Sequence, residues 1–192
     1  PEGALQLVTG STGDLIDRLG VGDVLAFTGS AETALKLRAK RNLLAASVRV
    51  NVEADSLNAA LLGPDAGPGS APFDLFVKDV CREMTQKAGQ KCTAARRLVV
   101  PAALEAAVTA ALVDRLARVV TGNPADESVR MGPLATADQL RDGLDGIADL
   151  LATTDLVFGS GQRIDGFGAP AGKGYFIGPT LLRSAEPLEK SP

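Results

Sequence analysis

Val24-Leu25-Ala26-Phe27-Thr28-Gly29-Ser30-Ala31-Glu32-Thr33-Ala34-Leu35-Lys36-Leu37-Arg38 decides the fold. The apolar run Val24 to Phe27 predicts a short strand, Thr28-Gly29-Ser30 a turn, and Ala31 to Arg38 a helix. Ser30 is a favoured N-cap, because its hydroxyl accepts from a free N–H of the first turn. Glu32 suits the positive end of the helix dipole. The same form occurs upstream, with Leu5 to Val8 apolar, Thr9-Gly10-Ser11-Thr12-Gly13 as turn and Asp14 to Leu19 helical. Two strand–turn–helix units in series indicate parallel βαβ architecture, hence an α/β fold. A helix start of this kind also attracts phosphate through its free N–H groups and dipole. The G-x-G-x-x-G fingerprint is absent, however, and a serine cap is more often only a cap.

The next strand is Ala46 to Glu53, where Val48, Val50 and Val52 alternate. Glu53 closes that run, and ligands of open parallel sheets sit beyond the C-terminal strand ends. Taken alone, Glu53 reads as a solvated carboxylate. The chain has no histidine, which removes Cys-His dyads, Ser-His-Asp triads and histidine metal sites. With a nucleophilic cysteine to serve, Glu53 becomes the best candidate base.

That cysteine is Cys92, in Gln86-Lys87-Ala88-Gly89-Gln90-Lys91-Cys92-Thr93-Ala94. Small and basic neighbours are the wrong company for a structural cysteine. Lys87 and Lys91 offer positive charge that favours thiolate, and Gly89 permits close backbone approach. The competing reading is a free surface thiol. Cys81 falls on the apolar stripe Phe73, Phe76, Val77, Val80, Cys81 and Met84 of a predicted helix, Phe73 to Thr85, and reads as packing. Two cysteines without histidine give no metal site and no disulfide framework.

Downstream, the Pro- and Gly-dense stretch Gly63 to Pro72 reads as a hinge or inserted loop. Leu98-Val99-Val100 is a strand, and Leu104 to Val120 a helix with an i, i+3, i+4 apolar stripe. Thr136 and Gln139 have capping-box form, opening a helix with Leu140, Leu144, Ile147 and Leu151 inward. Leu156 to Phe158 is a strand, and a Gly-rich loop leads to Tyr175 to Leu182. The net charge of −3 and an aromatic content of 4% argue against nucleic acid as a partner. No apolar run is long enough to cross a bilayer, and free cysteines suit a reducing, cytoplasmic setting. The 192 residues begin at Pro1 and end at Pro192 without a closing element, so the chain reads as part of something longer.

In this order the pieces resemble the aldehyde dehydrogenase superfamily. The resemblance rests on Pro1-Glu2-Gly3 with Gln6-Leu7-Val8-Thr9-Gly10, Phe27-Thr28-Gly29-Ser30, Gly89-Gln90-Lys91-Cys92, Met131-Gly132-Pro133-Leu134, and Gly174-Tyr175-Phe176 with Pro179-Thr180. One departure stands out. Glu53 is followed by Ala54-Asp55-Ser56-Leu57-Asn58, where the family usually has Leu-Gly-Gly-Lys. With the Met84 to Ala94 stretch, this form looks most like the dehydrogenase domain of PaaZ-type bifunctional proteins of phenylacetate breakdown. The dehydrogenases of the box pathway for benzoyl-CoA, which act on similar CoA-linked semialdehydes, stay open beside it.

The resemblance implies an aldehyde dehydrogenase-like α/β fold. Residues 1–54 would be the last part of a Rossmann-type NAD(P)-binding domain, and 55–192 most of the catalytic domain. It implies NADP or NAD as cofactor and a small-molecule aldehyde, CoA-linked, as substrate. It implies a homo-oligomeric parent with neither nucleic acid nor membrane as partner. Cys92 would attack the aldehyde, its N–H would be half of an oxyanion hole, and Glu53 would activate water or take the thiol proton. Thr28, Gly29 and Ser30 would shape the cofactor turn, with Ser30 by the pyrophosphate. Two other readings stay open: a non-catalytic dehydrogenase-like scaffold, and a phosphate-binding module built on the Ser30 turn.

Overall fold

The computed structural model describes residues 3–184. Its regular elements are β1 (Val24–Gly29), α1 (Ala31–Arg38), α2 (Arg41–Ala45), β2 (Arg49–Ala54), β3 (Asn58–Leu61), α3 (Ala71–Thr85), β4 (Ala95–Val99), α4 (Ala102–Leu116), α5 (Ala137–Leu151), β5 (Asp155–Phe158) and β6 (Leu181–Arg183). The chain divides into two units, the first ending at Ser56 and the second beginning at Leu57.

In the first unit β1 and β2 pair in parallel, from Val24 opposite Arg49 to Gly29 opposite Ala54. This is the βαβ arrangement expected from the strand–turn–helix form, with α1 and α2 as the crossover. The repeat at the N-terminal side is not a second such unit. Leu5 to Val8 is not a strand, Leu5 is 93% exposed, and only a one-turn 3-10 helix, Leu15–Arg18, replaces the expected helix. An apolar tetrapeptide becomes a strand only when a neighbour completes its ladder, and no described residue does so here. Asn42 fastens this stretch instead, donating from Nδ2 to the carbonyls of Ile16 (2.9 Å) and Leu19 (3.2 Å).

The second unit is built on a core of Leu62, Ala66, Phe73, Val77, Val80, Val108, Leu112 and Leu116, mostly from α3 and α4. The stripe foreseen on α3 is the one that packs. Cys81 and Met84 lie against its edge, and Ser70 caps the helix by accepting from the Phe73 N–H. The Gly63 to Pro72 stretch is no hinge. Ala66 anchors it to this core while most of its residues are exposed, and the division of the chain falls earlier, after Ser56.

Strands β3 and β4 pair in parallel, while β5 and β6 pair antiparallel. Helix α4 stops at Leu116 rather than Val120, because Thr121 enters a bridge with Met131 and the preceding residues close as turns. Helix α5 opens as expected, with Thr136 accepting from the Gln139 N–H. The return bond of the capping box goes to the Ala135 N–H instead of the cap's own. At its far end Leu151 faces outward, 38% exposed.

Candidate active site

Cys92 and Thr93 form the corner of a tight turn closed by the Ala94 N–H donating to the Lys91 carbonyl at 3.2 Å. The turn feeds β4. From β3, Asn58 Nδ2 donates to the carbonyls of Cys92 (2.6 Å) and Ala94 (3.4 Å). One side of the corner is therefore tied to the sheet. The Cys92 thiol is exposed, and its backbone N–H donates to no group among the described residues. An accessible sulfur beside a free N–H is what thiol addition to a carbonyl requires, because the oxyanion then forms within reach of a donor.

Ahead of the turn the backbone is strained. Lys87 (φ 54°), Ala88 (φ 53°) and Gly89 (φ 72°) are consecutive left-handed residues. Only glycine enters that region freely, and the other two cost about 1–2 kcal/mol each. Local hydrogen bonds help to hold the run, with the Gln90 N–H on the Lys87 carbonyl and the Lys91 N–H on that of Gly89.

The charge expected from Lys91 is committed elsewhere. Its Nζ lies 2.8 Å from Glu83 Oε2 and 2.9 Å from Gln86 Oε1. This pairing holds the Glu83 carboxyl below its ordinary range, the Lys91 hydrogen bond being the main cause. Lys91 thus braces α3 against the loop rather than presenting a bare cation to the thiol. At Cys81, which is partly buried, burial pushes the thiol up, against a weaker opposing pull from Arg115.

Thr28, Gly29, Ser30 and Glu53 come together in the first unit, at the C-terminal ends of β1 and β2. Thr28 is the register partner of Glu53, and both are exposed. Ser30 is the N-cap of α1, its Oγ accepting from the Thr33 N–H at 3.2 Å. The Ala31 N–H meets both oxygens of Asp55 at 3.3 Å. Asp55 stands two places after Glu53, where the usual pattern has glycine, and keeps the conformation that glycine would supply, with φ 51°. Aspartate enters this region more readily than most residues, and here its carboxylate is held by the Ala31 N–H, 24 positions away.

The residues fit an anionic group: a carboxylate already stands on the α1 terminus, where a cofactor phosphate would be received. The Asp55 charge on that terminus would oppose such a group. Among the described residues no cluster of three or more His, Cys, Asp or Glu could hold a metal, and no helix is long and apolar enough to cross a membrane.

Sequence reasoning missed Asn58, Asp55 and the work of Gln90. An asparagine opening a strand and an aspartate in place of glycine were the available signals, since both residues are unfavourable in strands.

The family model described as the aldehyde dehydrogenase family matches residues 1–190. The 3,4-dehydroadipyl-CoA semialdehyde dehydrogenase of Aromatoleum evansii is 46% identical over 182 residues, which is 95% of this chain and 35% of that protein. A 1-pyrroline-5-carboxylate dehydrogenase from Thermus, solved with bound NAD, superposes with a TM-score of 0.69. It is 32% identical, covering 83% of this chain and 29% of its own. Betaine aldehyde dehydrogenase from Staphylococcus aureus, in complex with NAD+, gives a TM-score of 0.70 at 25% identity, over 83% of this chain and 30% of its own. The chain spans little more than a third of the length of the curated relatives it matches, 35% and 38%.

Proposed function

The chain belongs to the aldehyde dehydrogenase family, and from that premise we propose that the protein carrying it oxidises an aldehyde to a carboxylic acid with NAD(P), using Cys92 as nucleophile. The observation that carries the reading is the exposed Cys92 thiol beside its own unengaged N–H, on a turn anchored by Asn58.

The Cys92 sulfur adds to the aldehyde carbon, the carbonyl π pair moves to oxygen, and the Cys92 N–H receives the oxyanion. Thr28, Gly29 and Ser30 at the α1 terminus would hold a nicotinamide cofactor, which when bound would supply the hydride acceptor. Loss of hydride from the thiohemiacetal carbon leaves a thioester on Cys92. Glu53 takes a proton from water, whose oxygen attacks that thioester, and the acid leaves as the Cys92 thiolate is restored. With no histidine in the chain, a carboxylate is the fitting base for this step.

The substrate class we assign is a CoA-linked semialdehyde of aromatic, phenylacetate-type catabolism. The similarity to the Aromatoleum evansii 3,4-dehydroadipyl-CoA semialdehyde dehydrogenase supports the CoA-linked semialdehyde. A cytoplasmic homo-oligomer and residues 1–54 as the cofactor-binding part complete the reading. The test is Cys92→Ala in the full-length protein. Aldehyde oxidation should vanish while cofactor binding stays nearly intact, and normal turnover would refute the assignment.

A further inference from the structure

We propose that Gln90 is a positioning residue, whose side-chain amide references the Cys92 turn to the 133–135 segment and so sets where the thiol stands. The proposal rests on Cys92 being the nucleophile. Gln90 Nε2 donates to the Lys87 carbonyl at 2.9 Å and, at longer range, to that of Pro133 at 3.4 Å. Its Oε1 accepts from the Ala135 N–H at 3.0 Å. The partners fix which end is which, because carbonyls need the NH2 group and an N–H needs the oxygen.

The segment it reaches is itself braced. The Leu134 N–H donates to the Tyr175 carbonyl at 2.8 Å, and Phe176, next in sequence, is only 3% exposed. Gly174 permits this packing, since a Cβ there would lie 2.3 Å from the Phe176 ring. Three stretches that the sequence presents separately, 89–92, 131–134 and 174–176, are therefore joined through Gln90 and the Leu134 N–H.

The bond to Lys87 has a second effect. It falls on the first residue of the left-handed run, which persists only while its surroundings hold it. Releasing Gln90 frees the loop to relax, and the corner bearing Cys92 moves with it. A nucleophile must be held within a fraction of an ångström of its productive place, so a modest loosening costs rate. The variant remains foldable, because the Ala135 N–H keeps a second acceptor in Gln139 Oε1 at 3.1 Å.

The experiment uses the full-length protein with Gln90→Ala and Gln90→Glu. The latter keeps an acceptor for Ala135 but sets oxygen against the Lys87 and Pro133 carbonyls. Amide hydrogen exchange is read at Gln90, Lys91 and Ala94 against α3 and α4, alongside kcat and the KM for cofactor. Loop exchange should quicken about tenfold, the scale of one or two lost hydrogen bonds. The amides of α3 and α4 should not change. We expect kcat to fall at least as far with the cofactor KM unmoved, and Gln90→Glu to be no milder than Gln90→Ala. Unchanged loop exchange, unchanged kcat in a loosened loop, or α3 and α4 quickening in step would each overturn the proposal. Full turnover in Cys92→Ala would overturn the nucleophile assignment and this proposal together.

Discussion

The two units are packed unequally. Among the described residues the first buries three apolar side chains, Ala34, Leu43 and Val48. The second buries thirteen, centred on α3 and α4. In the first, Leu5, Leu7, Val21, Val24, Leu35 and Leu44 are all half exposed or more, and the described sheet has two strands. A sheet that small is marginal by itself. The candidate base and cofactor turn lie on the thin unit and the candidate nucleophile on the firm one. The candidate chemical groups are therefore not confined to the firmer unit, and those on each unit should fail in different ways.

After Cys92→Ala, the largest effect should come from Glu53 on the thin unit. In the full-length protein, Glu53→Gln should slow steady-state turnover by roughly 10²–10⁴, the usual worth of a placed general base. A burst of reduced cofactor should remain, because water activation follows hydride loss. If the burst vanishes while steady state is equally slow, Glu53 acts earlier, on the thiol itself.

The packing contrast is tested with one residue type. Leu112 is 1% exposed and Leu35 67%. Leu112→Ala should lower unfolding free energy by about 2–5 kcal/mol, and Leu35→Ala by about 0.5 kcal/mol or less. Denaturant titration of both variants decides it, and equal losses would erase the distinction. The 192-residue chain by itself should also self-associate through the apolar surface and open strand edges of the first unit, which light scattering would register. A clean monomer that binds NADP tightly would contradict this.

Asp55→Gly sharpens the account of the cofactor turn. Removing the carboxylate from the Ala31 N–H should raise cofactor affinity several-fold, on the order of 1 kcal/mol for one charge near a helix terminus. The backbone should tolerate it, since Asp55 already has a glycine-like φ of 51°. Calorimetry with the cofactor would show the gain, and weaker binding would mean that Asp55 assists the ligand.

The smallest effect concerns acid. Glu83 has its folded pKa depressed, chiefly by Lys91. The stability it lends is present above the ordinary carboxylate range and is lost as pH falls through the depressed value. Unfolding of Glu83→Gln should therefore be less steep in acid than that of the parent, and unchanged acid sensitivity would mean that the Lys91 pair contributes nothing.

What the sequence by itself determined is what chain neighbours decide. Apolar runs and alternation placed β1, β2 and the stripe of α3, and Ser30 and Thr136 marked their helix starts. Basic, glycine-containing surroundings set Cys92 apart from Cys81. Leu5 to Val8 shows the limit, since it carries strand character but only a neighbouring ladder could have made it a strand.

Tertiary structure decided the connections across distance. Gln90 reaches Ala135 over 45 positions, Asn58 reaches the Cys92 carbonyl over 34, and Asp55 reaches Ala31 over 24. Lys91 is only eight positions from Glu83, yet it meets that carboxylate because the loop folds back on α3. Periodicity reports which face of an element is buried. The partner of a polar side chain depends on which backbone groups the fold leaves unpaired nearby, and no local pattern encodes that.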